Sequence, residues 1–416
     1  MQKRFDCVVV GSCVVDVLAR PVPLSEPIGA GRLIESEPLL LTTGGIVSNS
    51  GIALARLGMR VAAFTYVGND EWAEVIRHRY AAEGVDTSAL VTHPDGATST
   101  TAVLIDPSGE RTFVHCVGAP RLLDKQAMLS QLELFASSRA MLLGYYPLMT
   151  RLQSDLPEVL AAIRKTGCLT AMDSAGDGGT MDPLARILPH LDFFVPNEGE
   201  AAHQTGKTDP RAMIEVFRAA GAQGCVGIKL GVRGALLSPK PGEFVEVAVV
   251  KAPGDVVDTT GAGDSFYAGL LAGLLRGLPI ADAGRLAAVG ALQGGVHPFP
   301  RRPLAPGVQI VDQWVDAIGR RLDAHGAFDA EAVGPGRDEG AQGDEQDGDD
   351  DGGDLQHGTL GGSRGAAPQP PAMAPTIRKG SAPSTTGAGS GASGDSCEMS
   401  SWQAKNRTKG RRRWVS

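Results

Sequence analysis

The sequence predicts an α/β fold: a mostly parallel central sheet with helices on both faces, and a small β-sheet standing off that layer. Three observations predict it. Short, β-branched apolar runs alternate with helical runs through residues 1–325. The first strand run, Phe5–Val10, is short, mostly apolar and β-branched, as expected of a buried strand. Two extended stretches interrupt the rhythm and carry no helical pattern.

Taken in order, Phe5–Val10 is a buried strand, Ser50–Leu57 a helix, Val61–Val67 a strand and Ala73–Glu83 a helix. Ala140–Leu143 is a strand, Leu156–Lys165 a helix, and Leu169–Met172 and Phe193–Val195 are strands. Arg211–Ala220 is helical, Cys225–Lys229 and Ala235–Leu237 are strands, and Ser265–Arg276 and Ala281–Gly294 are helices. Such units form βαβ crossovers, and ligands then bind outside the carboxyl ends of the strands. The exceptions are Arg32–Thr42, which is extended, and the pair Thr98–Asp106 and Arg111–Cys116. The pair flanks Pro107-Ser108-Gly109-Glu110, a hairpin turn. They are expected to form a small antiparallel sheet, a lid drawn from residues 12–43 and 96–118.

The composition changes near residue 326. Asp338–Asp354 is acidic and glycine-rich, a Pro/Ala/Gly/Ser/Thr stretch follows to about Ser396, and Lys405–Arg413 is basic. Too little apolar surface is present to offset the entropy of ordering. Residues 326–416 are therefore expected to be a disordered low-complexity tail, a solvated appendage whose Arg411–Arg413 cluster is its one candidate contact for an acidic partner.

Of the 416 residues, 42% are apolar, enough for a substantial core, and the net charge of −8 argues against a nucleic-acid partner. The six cysteines, at 7, 13, 116, 168, 225 and 397, are scattered and form no CxxC pair. They read as thiols in a reducing compartment rather than disulfides or a zinc site. Asp6 and Asp16 interrupt the first apolar runs, so no signal peptide is expected, and no apolar run is long enough to span a membrane. The expected location is the cytoplasm.

The strongest chemical signal is Asp258-Thr-Thr-Gly-Ala-Gly-Asp264, followed by a run of small and apolar residues that reads as a buried helix. Glycines at a helix start let successive N–H groups point into one concavity, and the helix dipole adds positive potential there. That is a site for a phosphoryl group, with Asp264 at its rim able to take a proton from an attacking hydroxyl. An ordinary N-capped helix explains Asp264 alone, but not Gly-Ala-Gly together with Asp258, Thr259 and Thr260.

Other elements are weaker when taken singly. Gly44-Gly45-Ile-Val-Ser-Asn49 is a glycine pair before an apolar helix. Gly11-Ser-Cys-Val-Val-Asp16 puts a carboxylate after the first strand. Pro196-Asn197-Glu198-Gly199-Glu200 follows a later strand and also reads as an acid-rich helix start. Lys229-Leu-Gly231-Val-Arg233-Gly234 joins two strands and also reads as a plain hairpin.

Together and in this order, these segments resemble the signatures of the ribokinase/PfkB family of carbohydrate kinases, from about Phe5 to Ile310. The resemblance implies a ribokinase-like three-layer α/β/α sandwich with a small β lid. It also implies ATP-dependent phosphorylation of a hydroxyl on a small sugar or sugar derivative. It makes Asp264 the base and the amides of Gly261, Ala262 and Gly263 the anion hole. Asp16, Gly44, Gly45 and Asn49 become substrate ligands, and Asn197, Lys229, Gly231 and Gly234 line the ATP side. Glu200 would organise Mg²⁺ through water, while Asp258 and Thr260 match positions that hold a monovalent cation, K⁺, in some members. Ile46-Val47-Ser48 departs from the Lys-Gly-Ala that ribokinases proper favour, which weakens a specific assignment to ribose. A homodimer through the lid is a further expectation.

Three rivals stand beside this reading. A nucleoside kinase on the same fold would need aromatic walls for a base, and the expected lid offers little beyond Phe113. A non-catalytic sugar- or nucleotide-binding protein would have no use for an intact Gly-Ala-Gly-Asp264. A dinucleotide-binding oxidoreductase would need a GxGxxG at Gly11, which is missing.

Overall fold

A computed structural model describes residues 3–29, 31–250 and 259–294. The tail expected at 326–416, and Asp258, lie outside the described residues. Thirteen strands are present among those described: β1 (Phe5–Gly11), β2 (Val14–Ala19), β3 (Leu40–Gly44), β4 (Val61–Val67), β5 (Asp86–Thr92), β6 (Thr100–Ile105), β7 (Arg111–Cys116), β8 (Ser138–Gly144), β9 (Leu169–Met172), β10 (Phe193–Phe194), β11 (Cys225–Lys229), β12 (Ala235–Ser238) and β13 (Val245–Val247).

Nine of them form one sheet in the order β13-β12-β11-β10-β9-β8-β1-β4-β5. The sheet is parallel from β5 to β11 and turns antiparallel at β12 and β13. β1 lies among the central strands, and all seven of its residues are buried. Two apolar clusters pack around the sheet. One includes Val9, Ile46, Leu54, Tyr267 and Leu271. The other includes Val8, Leu143, Leu160, Ile187 and Phe217. Val8 and Val9 are neighbours in β1 and belong to different clusters, as the two-residue period of a strand with both faces covered requires.

The remaining four strands form a separate sheet in the order β3-β2-β6-β7. The hairpin around Pro107–Glu110 joins β6 to β7 as expected. Two expectations are corrected. In the Arg32–Thr42 stretch only the last residues are strand, within β3. The sheet is also mixed rather than antiparallel, because β2 pairs in parallel with β6. Both strands follow the carboxyl ends of parallel strands of the large sheet, β1 and β5, and so run in the same direction. Asp70 ties the two sheets together where β4 ends. Its carboxylate caps the helix Glu71–Ala82 at Ala73 N and accepts the Thr98 N–H at 2.8 Å and hydroxyl at 2.6 Å, just before β6. The backbone and hydroxyl donors hold the Asp70 carboxyl below its usual range against the opposing effect of burial.

Candidate active site

The helix Ala262–Leu275 is buried along most of its length, and its side chains are mostly small or apolar, so packing against the helices Gly45–Arg56 and Ile280–Gly294 fixes its axis and its first turn. Gly261 precedes it with φ of 76°, a left-handed conformation that a side chain would strain. The Ala262 N–H donates to Thr259 O. Among the described residues, no acceptor takes the N–H groups of Gly261, Gly263 and Asp264, so three main-chain donors are left at this turn, two of them from the glycines.

Asp264 sits in the same first turn and is 6% exposed. Its Oδ2 accepts hydrogen bonds from Asn49 Nδ2 and from Tyr145 Oη, each at 2.8 Å. Its main-chain carbonyl accepts the Ser50 hydroxyl at 2.9 Å. Asn49 and Ser50 belong to the helix Gly45–Arg56, so two successive residues of that helix hold Asp264 by side chain and by backbone. No described group donates to Oδ1. Burial pushes the carboxyl of Asp264 up, while the two donors and the charge of Lys229 act against that rise.

Lys229, at the end of β11, places its ammonium 2.9 and 3.0 Å from the two oxygens of Asp173, which follows β9. Burial foremost, with Glu200 and Asp264 nearby, pushes the Asp173 carboxyl up to about 7 despite that pairing. Burial also opposes the Lys229 charge, but the three carboxylates outweigh it and hold the ammonium above its ordinary range. A Cβ on Gly263 would stand 3.5 Å from the ammonium, so Lys229 lies against the glycine turn.

Asn197 and Glu200 form a capping box at the start of the helix Glu198–Thr205: Asn197 Oδ1 accepts Glu200 N–H, and Glu200 Oε2 accepts Asn197 N–H. Glu200 is buried, and burial raises its carboxyl. Gly231 and Gly234 shape the turn between β11 and β12, and a side chain on Gly234 would overlap the carbonyl of Val247. Asp16 lies in β2, in one register row with Thr42, Thr101 and His115. A Cβ on Gly44 would stand 2.6 Å from Asp16 Oδ2. Gly45 has φ of 79° and starts the helix that carries Asn49. Thr260 is exposed, and its hydroxyl accepts a hydrogen bond from Arg111 of β7 at 3.1 Å.

The structure thus gathers Asp264, Asn49, Lys229 and the glycine turn tightly, with Glu200 close enough to act on the charges there. Sequence reasoning missed Tyr145, Ser50 and Asp173. Among the described residues, Tyr145 is the one non-glycine residue with positive φ, at 61°.

Comparison with known proteins bears on this arrangement. The model of the pfkB family of carbohydrate kinases matches residues 4–295. An uncharacterized sugar kinase of Escherichia coli, YegV, is 30% identical over 287 residues, covering 67% of this chain and 85% of that protein. A fructokinase of Klebsiella pneumoniae is 31% identical over 287 residues, covering 65% and 85%. The structure of Arabidopsis thaliana ribokinase complexed with ribose and ATP superposes with a TM-score of 0.61 at 22% identity, covering 76% of this chain and 99% of that one. The chain belongs to the pfkB family of carbohydrate kinases.

Proposed function

We propose that this kinase transfers the γ-phosphoryl group of ATP to a hydroxyl of a small sugar or sugar derivative, with Asp264 as the base. The observation that carries the reading is a buried carboxylate held at the first turn of a helix, beside glycine amides that have no acceptor among the described residues. Asp16, Gly44, Gly45 and Asn49 bind the sugar. The polar row Thr42–Asp16–Thr101–His115 supports a hydroxyl-rich ligand, and the small sheet acts as a lid that excludes water. Asp264 takes the hydroxyl proton as that oxygen attacks phosphorus in line. The N–H groups of Gly261 and Gly263, together with Lys229, stabilise the charge on the transferred group. Ala262 holds the turn through its bond to Thr259. Asn197, Gly231 and Gly234 shape the ATP side. ATP is the donor named with the Arabidopsis ribokinase, and fructose and 2-dehydro-3-deoxygluconate are acceptors suggested by the names of relatives.

Glu200 fits an outer-sphere role toward Mg²⁺. Its Oε2 is engaged by Asn197, its Oε1 has no described partner, and no cluster of three metal-ligating side chains occurs among the described residues. When bound, Mg²⁺ would neutralise phosphate charge. Thr260 fits a monovalent cation poorly, because a guanidinium already contacts its hydroxyl. A K⁺ site is therefore left out of this reading. A homodimer through the small sheet is part of it. The row Leu41–Val17–Ala102–Val114, opposite in register to Asp16, leaves Leu41 56% and Val114 62% exposed.

The test is a coupled ADP-release assay on the full chain with Mg-ATP and fructose, ribose, 2-dehydro-3-deoxygluconate or adenosine, beside Asp264→Asn. Turnover on one sugar, reduced on the order of 10²- to 10⁴-fold in the variant, is expected. Turnover confined to adenosine would replace the substrate class and keep the mechanism. Full activity of Asp264→Asn would remove the base.

A further inference from the structure

Tyr145 follows β8 immediately after Gly144 and adopts a left-handed backbone conformation that a bulky aromatic residue rarely takes. Its N–H donates to Asp173 O, which anchors the residue in the layer between β8 and β9. The residue is half-buried, and its hydroxyl reaches Asp264 Oδ2 at 2.8 Å. A left-handed conformation is costly for a residue with a bulky side chain, and such strain persists where surrounding contacts over-determine it. Here it aims one hydroxyl at one carboxylate oxygen.

The two donors to Asp264 come from different parts of the chain, Asn49 from the helix Gly45–Arg56 and Tyr145 from the end of β8, and both meet the same oxygen. With Oδ2 engaged twice, the carboxylate plane is fixed, and Oδ1 is the oxygen without a protein donor among the described residues. We propose that Tyr145 is a positioning residue for the phosphoryl transfer: with Asn49 it clamps Oδ2 and so presents Oδ1 to the acceptor hydroxyl. The proposal rests on the reading of Asp264 as base. It gives the two oxygens of that carboxylate separate tasks and gives the strained tyrosine a reason.

Tyr145 touches neither the sugar hydroxyl that reacts nor the phosphoryl group in this scheme. Its removal should therefore act on kcat more than on KM. A phenol donating to a carboxylate also favours the ionised form. Removing it makes Asp264 easier to protonate, so the acid limb of the kcat profile moves to higher pH; strengthening the donor moves it lower. The other ionisable groups facing Asp264 are Lys229, Asp173 and Glu200. The Asp173 carboxylate contacts Lys229 rather than the Tyr145 hydroxyl, so a limb set by Asp173 would not follow changes at that hydroxyl.

The experiment measures kcat, both KM values and the kcat–pH profile for wild type, Tyr145→Phe and Asp264→Asn on the sugar the enzyme turns over. A fourth protein carries 2,3-difluorotyrosine at position 145, which keeps the ring and makes the hydroxyl a stronger donor, so the question stays open to test even if the Phe variant fails to fold. Expected for Tyr145→Phe is a kcat lower by about 10- to 100-fold with KM values within about threefold, and an acid limb moved to higher pH. Expected for the difluorotyrosine protein is an acid limb moved lower. An acid limb that stays in place in the folded variants, or a loss confined to KM, overturns the positioning role. If Asp264→Asn is inactive while position 145 is without effect, only that role falls; if Asp264→Asn is fully active, the base falls with it.

Discussion

The Lys229 ammonium bridges both carboxylate oxygens of Asp173 at 2.9 and 3.0 Å, with the two side chains 12% and 3% exposed. One ammonium there faces three buried carboxylates, because Glu200 and Asp264 also act on it. The cluster therefore carries excess negative potential, and its lowest-cost response is to hold a proton. Asp173, pushed up to about 7, is the group that holds it near neutrality. An entering polyphosphate would find the ammonium already committed to Asp173, and protonation of Asp173 releases it.

Lys229→Met should expose this balance. It leaves Asp173 buried without its cation, a change that typically costs about 3–5 kcal/mol when the charge must remain. Asp173 can escape part of that cost by protonation. In the variant the folded state binds the Asp173 proton more tightly than the unfolded chain does, so stability rises as pH falls from about 8 toward about 5. Urea denaturation should show a loss of about 3 kcal/mol at the higher pH and a clearly smaller one at the lower. Asp173→Asn combined with Lys229→Met should recover most of the loss, since no buried charge then stands alone. A loss of equal size at both pH values would refute the account.

Gly44→Ala offers a separate probe of the sugar side. Gly44 has extended backbone, so alanine introduces no strain there, but its methyl would stand 2.6 Å from Asp16 Oδ2 and 3.0 Å from Val14 Cγ1. The Asp16 carboxylate is the part able to move. If Asp16 holds two sugar hydroxyls, its displacement should raise the sugar KM by about 10-fold or more, corresponding to one charged hydrogen bond, and leave the ATP KM unchanged. Asp16→Ala should make the same change, and the double variant should be no worse than Asp16→Ala alone. Additive effects, or an equal rise in the ATP KM, would detach Gly44 from Asp16.

The parts of this site written in the sequence are those with fixed spacing. Gly261-Ala-Gly-Asp264 before an apolar helix, and Gly45 four residues before Asn49, carry their geometry in the chain itself. Tyr145 and Asp173 do not. Each is a single polar residue after a strand, and only the parallel order β9-β8-β1, with its non-local pairings, brings them to Asp264 and Lys229. Ser50 is the neighbour of Asn49, but nothing local says that a helix serine will bond the carbonyl of residue 264. The large sheet was legible wherever strands are continuously apolar. β5 was missed because it opens on Asp86-Thr-Ser, and β13 because three residues give no period. β2 falls within the expected lid range 12–43 but is not set apart there as a strand, because Asp16 breaks the apolar run Val14–Leu18.

Arg111 connects the small sheet to the turn before Gly261. Its Nη1 donates to Thr260 Oγ1 at 3.1 Å, joining β7 to the turn just before Gly261. The contact is exposed, and exposed pairs contribute about 0–1 kcal/mol to stability, so Arg111→Ala should unfold within a few degrees of the wild-type Tm. If the small sheet is the proposed lid and the glycine turn the proposed phosphoryl site, its effect should fall on catalysis, because a closing lid must then also meet that turn. Weakening that link should lower kcat/KM for the sugar by about 10-fold and raise the rate of ATP hydrolysis relative to sugar phosphorylation, as water gains access. Arg111→Lys keeps the charge but not the guanidinium's fixed fork, and should recover only part of the loss. Measuring ADP release and sugar phosphate formation in the same reaction separates the two rates. A variant with unchanged coupling and unchanged kcat/KM would show that β7 meets Thr260 without any part in closure.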